Sequence, residues 1–303
     1  MTPEKIDPKL MLLERCPLCH GEARKKLYEL ERYGVYQCSG CGLRYIDPCL
    51  SPEGMQYYYS SEEKLLELNP FHQSYYEYGD PMAASKTVKD FERTLERLEK
   101  DIPQESRTIF DVGCGNGLFL AVAKRRGWTV AGCDSSESNV AQAKAKFGLD
   151  IYRASFDAFD PTGKKYTVIA FWDVLEHLVE PHAVLEKAIS MLGPQGRIVI
   201  GGPNDKSFLR VMASVLYKMT GGRIQGPLSK AYLLEHTTYY TIETLQKLFG
   251  SHGFVSQCAF LSSTDLAKFH FTAAERVLAS VVLAVGKVLG LQNRLIAIFK
   301  PRA

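Results

Sequence analysis

The chain has 303 residues, 46% of them hydrophobic and 23% charged, with a formal net charge of +3. These values are ordinary for a globular protein and allow a full core in one large domain or two modest ones. The charge is too mild to argue by itself for a nucleic-acid partner, and the first residues lack the apolar run of a secretory signal.

Residues 1–50 are rich in Cys, Gly and Pro and read as a small module. Cys16-Pro-Leu-Cys19 and Cys38-Ser-Gly-Cys41 give C-x2-C-x18-C-x2-C. Four thiolates at that spacing fit a closed tetrahedral zinc site, with no coordination position left for chemistry. The expected metal ligands are Cys16, Cys19, Cys38 and Cys41. The alternatives are free thiols, a disulfide, or His20 replacing one cysteine. Gly21, Gly40 and Gly42 suit the knuckle turns, and residues 41–48 read as a strand leaving the second knuckle. Arg24-Lys25-Lys26 is a weak basic cluster whose plainer reading is a solvated face. Paired rather than dense cysteines point to a reducing, cytoplasmic setting.

Residues 51–104 are polar and carry Tyr57, Tyr58, Tyr59, Tyr75, Tyr76 and Tyr78. They read as a helical linker, with the tyrosines either forming a lid or covering a domain seam. Val88, Phe91, Leu95 and Leu98 predict an amphipathic helix from Lys86 to Lys100, ended by Pro103.

From residue 105 to 303 strands and helices alternate. Strands are predicted at 108–112, 129–133, 150–154, 166–171, 196–200, 254–260 and 294–300. Helices are predicted at 118–126, 137–147, 181–192, 242–249 and 271–289. This order implies an α/β fold with a doubly wound, mostly parallel sheet. Residues 203–235 read as an irregular insertion over the carboxyl edge of the sheet, and residues 265–290 as a second insertion. The apolar stretch 277–286 is too short to span a bilayer. A packed helix is expected there, or peripheral membrane contact through residues 272–290.

Asp111-Val-Gly-Cys-Gly-Asn-Gly117 follows a strand and opens a helix, the context in which a glycine-rich turn binds a cofactor. Its spacing is G-x-G-x-G, and Leu118 breaks the dinucleotide pattern. Asp111 is wrong for a pyrophosphate and suits a cationic ligand group. Asp134, 17 residues past Gly117, ends the second strand where a carboxylate can accept ribose hydroxyls. Phe156 and Asp157 follow the third strand, where an adenine ring and amino group would lie. A plain tight turn and a nicotinamide or flavin site are the alternatives.

These marks resemble the class I S-adenosylmethionine (SAM) dependent methyltransferase superfamily over about residues 105–260 plus the last strand. The resemblance implies a seven-stranded Rossmann-like sheet and a SAM site built from Asp111, Gly113, Cys114, Gly115, Gly117, Asp134, Ser135, Phe156 and Asp157.

Asp173, Glu176 and His177 follow the fourth strand, at the end of the sheet that faces the ligand crevice. His236 lies in a later loop within reach of the same pocket. A histidine there can serve as base or position the acceptor. The D-x-x-E-H run with a distant His is also similar to a metal-holding arrangement in some small-RNA 2′-O-methyltransferases and, in part, in ubiquinone-pathway O-methyltransferases. It implies a catalytic divalent metal as a lesser alternative to His177 acting as base. The leading expectation is methyl transfer to an oxygen or carbon of a small molecule, such as a sugar or a polysaccharide-pathway or secondary metabolite. An RNA methyltransferase whose ribbon reads RNA and a non-catalytic SAM-binding adaptor are the alternatives.

Overall fold

The computed structural model describes residues 7, 9–68, 85–161, 163–266 and 271–302. Tyr75, Tyr76 and Tyr78 of the tyrosine-rich stretch lie outside them.

The main sheet has seven strands: β6 (Thr108–Val112), β7 (Thr129–Asp134), β8 (Tyr152–Arg153), β9 (Tyr166–Trp172), β10 (Leu192–Pro203), β12 (Phe254–Ser262) and β13 (Arg294–Pro301). Their order across the sheet is β12-β13-β10-β9-β6-β7-β8. β6 to β10 pair in parallel, and only β13 runs against its neighbours. The order reverses at β6, so the crevice opens beyond the carboxyl ends of β6 and β9.

Buried apolar residues alternate between the two faces of this sheet. Phe110, Ile169, Phe171, Ile198 and Phe299 enter one core, while Ile109, Val168, Ala170, Val199 and Ile298 enter the other. The second core is covered by α3 (Lys86–Leu98) and α4 (Leu118–Arg125), through Phe91, Leu95, Phe119 and Leu120. The first is covered by α6 (Pro181–Ser190) and α9 (Ile242–Ser251), and it runs without a break into the N-terminal module. α5 (Glu137–Phe147) starts on the Ser136 side chain and stops at Gly148, which takes a left-handed φ of 61°.

The N-terminal module contains β1 (Leu10–Met11), β2 (Arg24–Glu29), β3 (Gly34–Cys38), β4 (Arg44–Asp47) and β5 (Cys49–Leu50). Its second sheet has the order β11-β4-β3-β2, and β11 (Thr238–Tyr239) comes from the main domain. The Ile46 N–H also donates to the Thr237 carbonyl at 3.1 Å. A strand of the main domain therefore completes the ribbon's sheet.

One stretch differs from expectation. Residues 203–235 are not irregular: they hold α7 (Phe208–Met219) and α8 (Gly226–Ala231). Ser207 caps α7, and its apolar positions recur at helical spacing but point outward, so they do not mark a core face. Residues 51–68 form two helices, α1 (Pro52–Tyr59) and α2 (Glu62–Leu68), with Ser51 as N-cap and Pro52 in the first turn of α1. The second insertion includes α10 (Ala273–Val288), opened by a capping box of Thr272 and Glu275. Among the described residues no helix is long and apolar enough to cross a membrane.

Candidate active site and zinc-ribbon junction

The glycine loop runs from β6 into α4. Gly113, Gly115 and Gly117 all take positive φ, which a side chain would strain. A Cβ on Gly113 would strike Val174, and one on Gly117 would crowd Leu149 and Ala143. These two glycines let β9 and α5 close onto the loop. A Cβ on Gly115 would meet nothing within 4 Å, so the open side of the turn lies there. The Cys114 N–H donates to the Cys133 carbonyl and ties the loop to β7.

Asp134 orders this corner. Its carboxylate accepts from the N–H of Gly115 at 2.9 Å and of Ser136 at 2.9 Å, and from the Asn139 amide at 3.1 Å. Ser135 is exposed beside it. Asp111 is fully buried beneath the loop, and its Oδ1 has no hydrogen-bond partner among the described residues. Burial, with the charge of Asp134 adding to it, pushes its carboxyl well above the ordinary range. A buried acceptor without a donor is what a cationic ligand group would satisfy. Phe156 is packed in the core against Phe110 and Phe171, while Asp157 is exposed. Lys187 fixes both through their carbonyls, at 2.6 and 2.9 Å.

The second cluster lies where β9 ends. Ligand atoms of Glu176, His177 and His236 all lie within 4.8 Å of one another. The two imidazoles meet edge to face, with ring centroids 4.7 Å apart. His177 Nδ1 sits 2.7 Å from the Glu235 carbonyl. A carbonyl only accepts, so Nδ1 carries the proton and Nε2 is the basic atom. Burial pulls His177 below its ordinary value, and burial together with the charge of Asp173 pushes Glu176 up to about 8. Both shifts favour the neutral form of each group, imidazole and carboxyl. Tyr59, at the end of α1, places its hydroxyl 3.4 Å from His177 Nδ1.

Asp173 is not among the residues whose ligand atoms meet in that cluster. Its carboxylate is bound by both terminal nitrogens of Arg294, each at 2.9 Å. The reason is topological. β13 is antiparallel to β10, with Arg294 opposite Pro203, so its first residue arrives at the carboxyl edge. Arg294 carried no motif in the sequence. The one signal for it was its place at the start of the last strand.

The four cysteines converge as their spacing predicted. The Cys16 and Cys41 sulfurs are 3.5 Å apart and those of Cys19 and Cys38 are 3.4 Å apart. Tetrahedral zinc at about 2.3 Å from each sulfur needs S···S separations of about 3.8 Å. A hydrogen bond from Cys41 lowers the Cys16 thiol below its ordinary value. The ribbon is fixed to the main domain by several contacts. Lys247 donates to the Cys41 carbonyl at 2.7 Å, His182 Nε2 to the Leu18 carbonyl at 2.8 Å, and Arg44 to the Tyr232 hydroxyl at 2.9 Å. Of the basic cluster, Arg24 is paired with Asp47 and Lys26 with Glu29.

Residues 84–258 match the methyltransferase domain family. The chain belongs to that family. Two similar curated proteins are ubiquinone biosynthesis O-methyltransferases. That of Bartonella tribocorum is 29% identical over 108 residues, covering 34% of this chain and 44% of the relative. That of Brucella anthropi is 34% identical over 107 residues, covering 34% and 43%. The chain thus spans about half the length of the curated relatives it matches, or less. Among solved structures, magnesium protoporphyrin IX methyltransferase from Synechocystis with bound SAH superposes with a TM-score of 0.56 at 17% identity, covering 84% of this chain and 100% of that one. A plantazolicin methyltransferase in complex with SAH gives 0.51 at 17% identity, covering 82% and 94%. These likenesses show that the fold of the main domain is that of the methyltransferase family, as the sequence resemblance implied.

Proposed function

We propose that this chain is a SAM-dependent O-methyltransferase whose acceptor is a hydroxyl of a small molecule. The observation that carries this reading is the Glu176–His177–His236 cluster, with Glu176 buried and the two imidazoles part-exposed, joined to the glycine loop through Val174 against Gly113. SAM fits the loop: Gly115 leaves room for it and Asp111 has an unpartnered buried oxygen for its ammonium group. When bound, it supplies an electrophilic methyl group for in-line displacement. Asp134, Ser135, the loop N–H groups and Asp157 would hold its ribose and adenine. Phe156 would support that wall from the core.

This chain's own part in the reaction is proton handling and positioning. His177 Nε2 takes the hydroxyl proton, with Nδ1 anchored on the Glu235 carbonyl so that the ring cannot rotate. The neutral Glu176 carboxyl can donate to a second oxygen of the acceptor. Tyr59 covers His177 from the α1 side and helps exclude water. Two similar curated proteins named as O-methyltransferases support oxygen as the acceptor atom and leave the sugar expectation without support. An RNA acceptor is disfavoured because Arg24 and Lys26 are already paired within the ribbon.

A divalent cation is the second reading, favoured by one carboxylate and two imidazoles in reach of one another. Glu176, His177 and His236 would hold it, and it would lower the pKa of a bound hydroxyl. The bond from His177 Nδ1 to a carbonyl is the usual outer support of an Nε2 ligand.

The deciding experiment incubates methyl-labelled SAM with pools of hydroxylated small molecules and identifies the labelled product by mass. Label on an oxygen supports the proposal. Label on nitrogen or carbon, or no turnover with any pool, removes it. A weak chelator that spares the ribbon zinc, verified by metal analysis, separates the two readings. Unchanged turnover leaves His177 as base, and a loss restored by added metal assigns the cation.

A further inference from the structure

α7 is built inside out. Its protein-facing side carries Arg210, Ala213, Ser214 and Tyr217. Arg210 is buried and donates to the Asn204 carbonyl at 2.7 Å, and the Tyr28 hydroxyl donates to Ser214 at 2.8 Å. Its outer side carries Leu209, Met212, Leu216 and Met219 at helical spacing, and Met219 is 80% exposed. A water-facing helix normally has the reverse arrangement.

α10 continues the same face. Gly286 is the one buried residue of α10, because a Cβ there would press on Phe208 at the start of α7. Val277, Val281 and Val288 point away from the protein, and Val288 is 86% exposed. The two helices leave from the ends of β10 and β12, which run the same way, and so they stand at the edge that holds the candidate site. Scattered exposed apolar side chains need no explanation, but two adjoining helices that both turn their apolar sides outward do.

Charge selects the occupant. Lys218, Arg223, Lys230, Arg276 and Lys287 are exposed along α7, α8, α10 and their connections. Glu275 is the only acid in residues 208–231 and 273–288, and it is used in capping α10. A second copy packed on this face would set these five cations against one another, with Glu275, already used in capping α10, as the one acid of those two spans to meet them. An anionic lipid surface meets both the apolar side chains and the basic rim.

We infer that the outer faces of α7 and α10 form a peripheral docking surface for an anionic bilayer. The chain lies on the membrane there and brings its catalytic edge to the headgroup region. The inference is about binding and stands whether or not the proposed acceptor is correct.

The test is co-sedimentation of the full chain with vesicles of phosphatidylcholine alone and of phosphatidylcholine mixed with phosphatidylglycerol. Binding to the anionic vesicles is expected to be about tenfold stronger than to the neutral ones and to fall with added salt. Joint Met219→Glu and Val281→Glu substitutions should weaken it roughly a hundredfold. The thermal midpoint and SAM affinity should be unchanged, because both side chains are exposed and outside the site. Lys287→Glu alone should weaken binding only on anionic vesicles. No binding at low salt, or equal binding by the double variant, overturns the inference. So does a concentration-dependent dimer, seen by light scattering, that the same substitutions dissolve.

Discussion

Arg294 grips the Asp173 carboxylate through both terminal guanidinium nitrogens, each at 2.9 Å. Asp173 has a φ of 56°, and its N–H donates to the Gly201 carbonyl. The clamp therefore fixes a strained residue at the exit of β9, three positions before Glu176. Arg294→Gln is expected to cost about 1–2 kcal/mol of stability. It should lower turnover further than that loss explains, with SAM affinity retained. Thermal melts and steady-state kinetics measure both. Normal turnover in the folded variant would leave the clamp structural.

His177→Ala should reduce kcat by about 10²- to 10³-fold, with little change in SAM affinity measured by calorimetry. Tyr59→Phe should have a much smaller effect, because Nδ1 is already held by the Glu235 carbonyl. Equal losses in the two variants would contradict the assignment of the proton to Nδ1.

Asp134→Ala removes the acceptor of three hydrogen bonds, one of them from Gly115 of the loop. SAM affinity is expected to fall by about tenfold or more, since the carboxylate proposed to meet the ribose and the loop's anchor are lost together. Gly115→Ala should cost about 1 kcal/mol of stability from its φ of 55°. It should also weaken SAM binding, because the new methyl occupies the open side of the turn. Calorimetry showing wild-type affinity in both would remove this loop from the cofactor site.

Freshly purified protein should contain about one zinc per chain by metal analysis. Removing it, or making Cys38→Ser, should lower the melting temperature of the whole chain in a single transition, because one core runs from the ribbon into the main sheet. A separate early transition would show that the ribbon unfolds alone.

Glu99 accepts from Arg126 at 2.6 and 2.9 Å and from Trp128 at 3.0 Å. The Arg126 bond, chiefly, lowers its pKa below the ordinary value of 4.5. A depressed carboxyl adds stability that is fully present above 4.5 and is lost as pH falls through the folded-state value. Glu99→Gln should cost about 2 kcal/mol at pH 7, and the difference from wild type should shrink as pH falls below 4.5. A cost that stays constant with pH in denaturant titrations would mean that packing, not charge, is lost.

The strand and helix order from residue 105 onward could be read in the sequence because each strand carries its own apolar run and each helix its own cap or stop, as Ser136 and Gly148 do for α5. The cysteine tetrad was equally plain, since its spacing encodes the geometry directly. Glu176, His177 and His236 were all singled out in the sequence, the first two by their place after a strand end and His236 as a later loop residue within reach, although the contact itself depends on a chain crossover that no local pattern records. Arg294 and the Glu235 carbonyl were invisible for the same reason. α7 escaped because helix periodicity is normally read on the assumption that apolar faces point inward, and Met212 and Met219 point out.

The pairing of β11 with β4 bears on how this chain can be cut. Thr238 and Tyr239 give their backbone bonds to the N-terminal module and none to the seven-stranded sheet. A fragment beginning after residue 50 would leave those two residues as a raw edge and bare the apolar floor around Tyr239 and Tyr240. A fragment ending there would expose β4 in turn. The N-terminal module is not a cassette that can be lifted out and grafted elsewhere, because the last strand of its sheet is written nearly two hundred residues downstream.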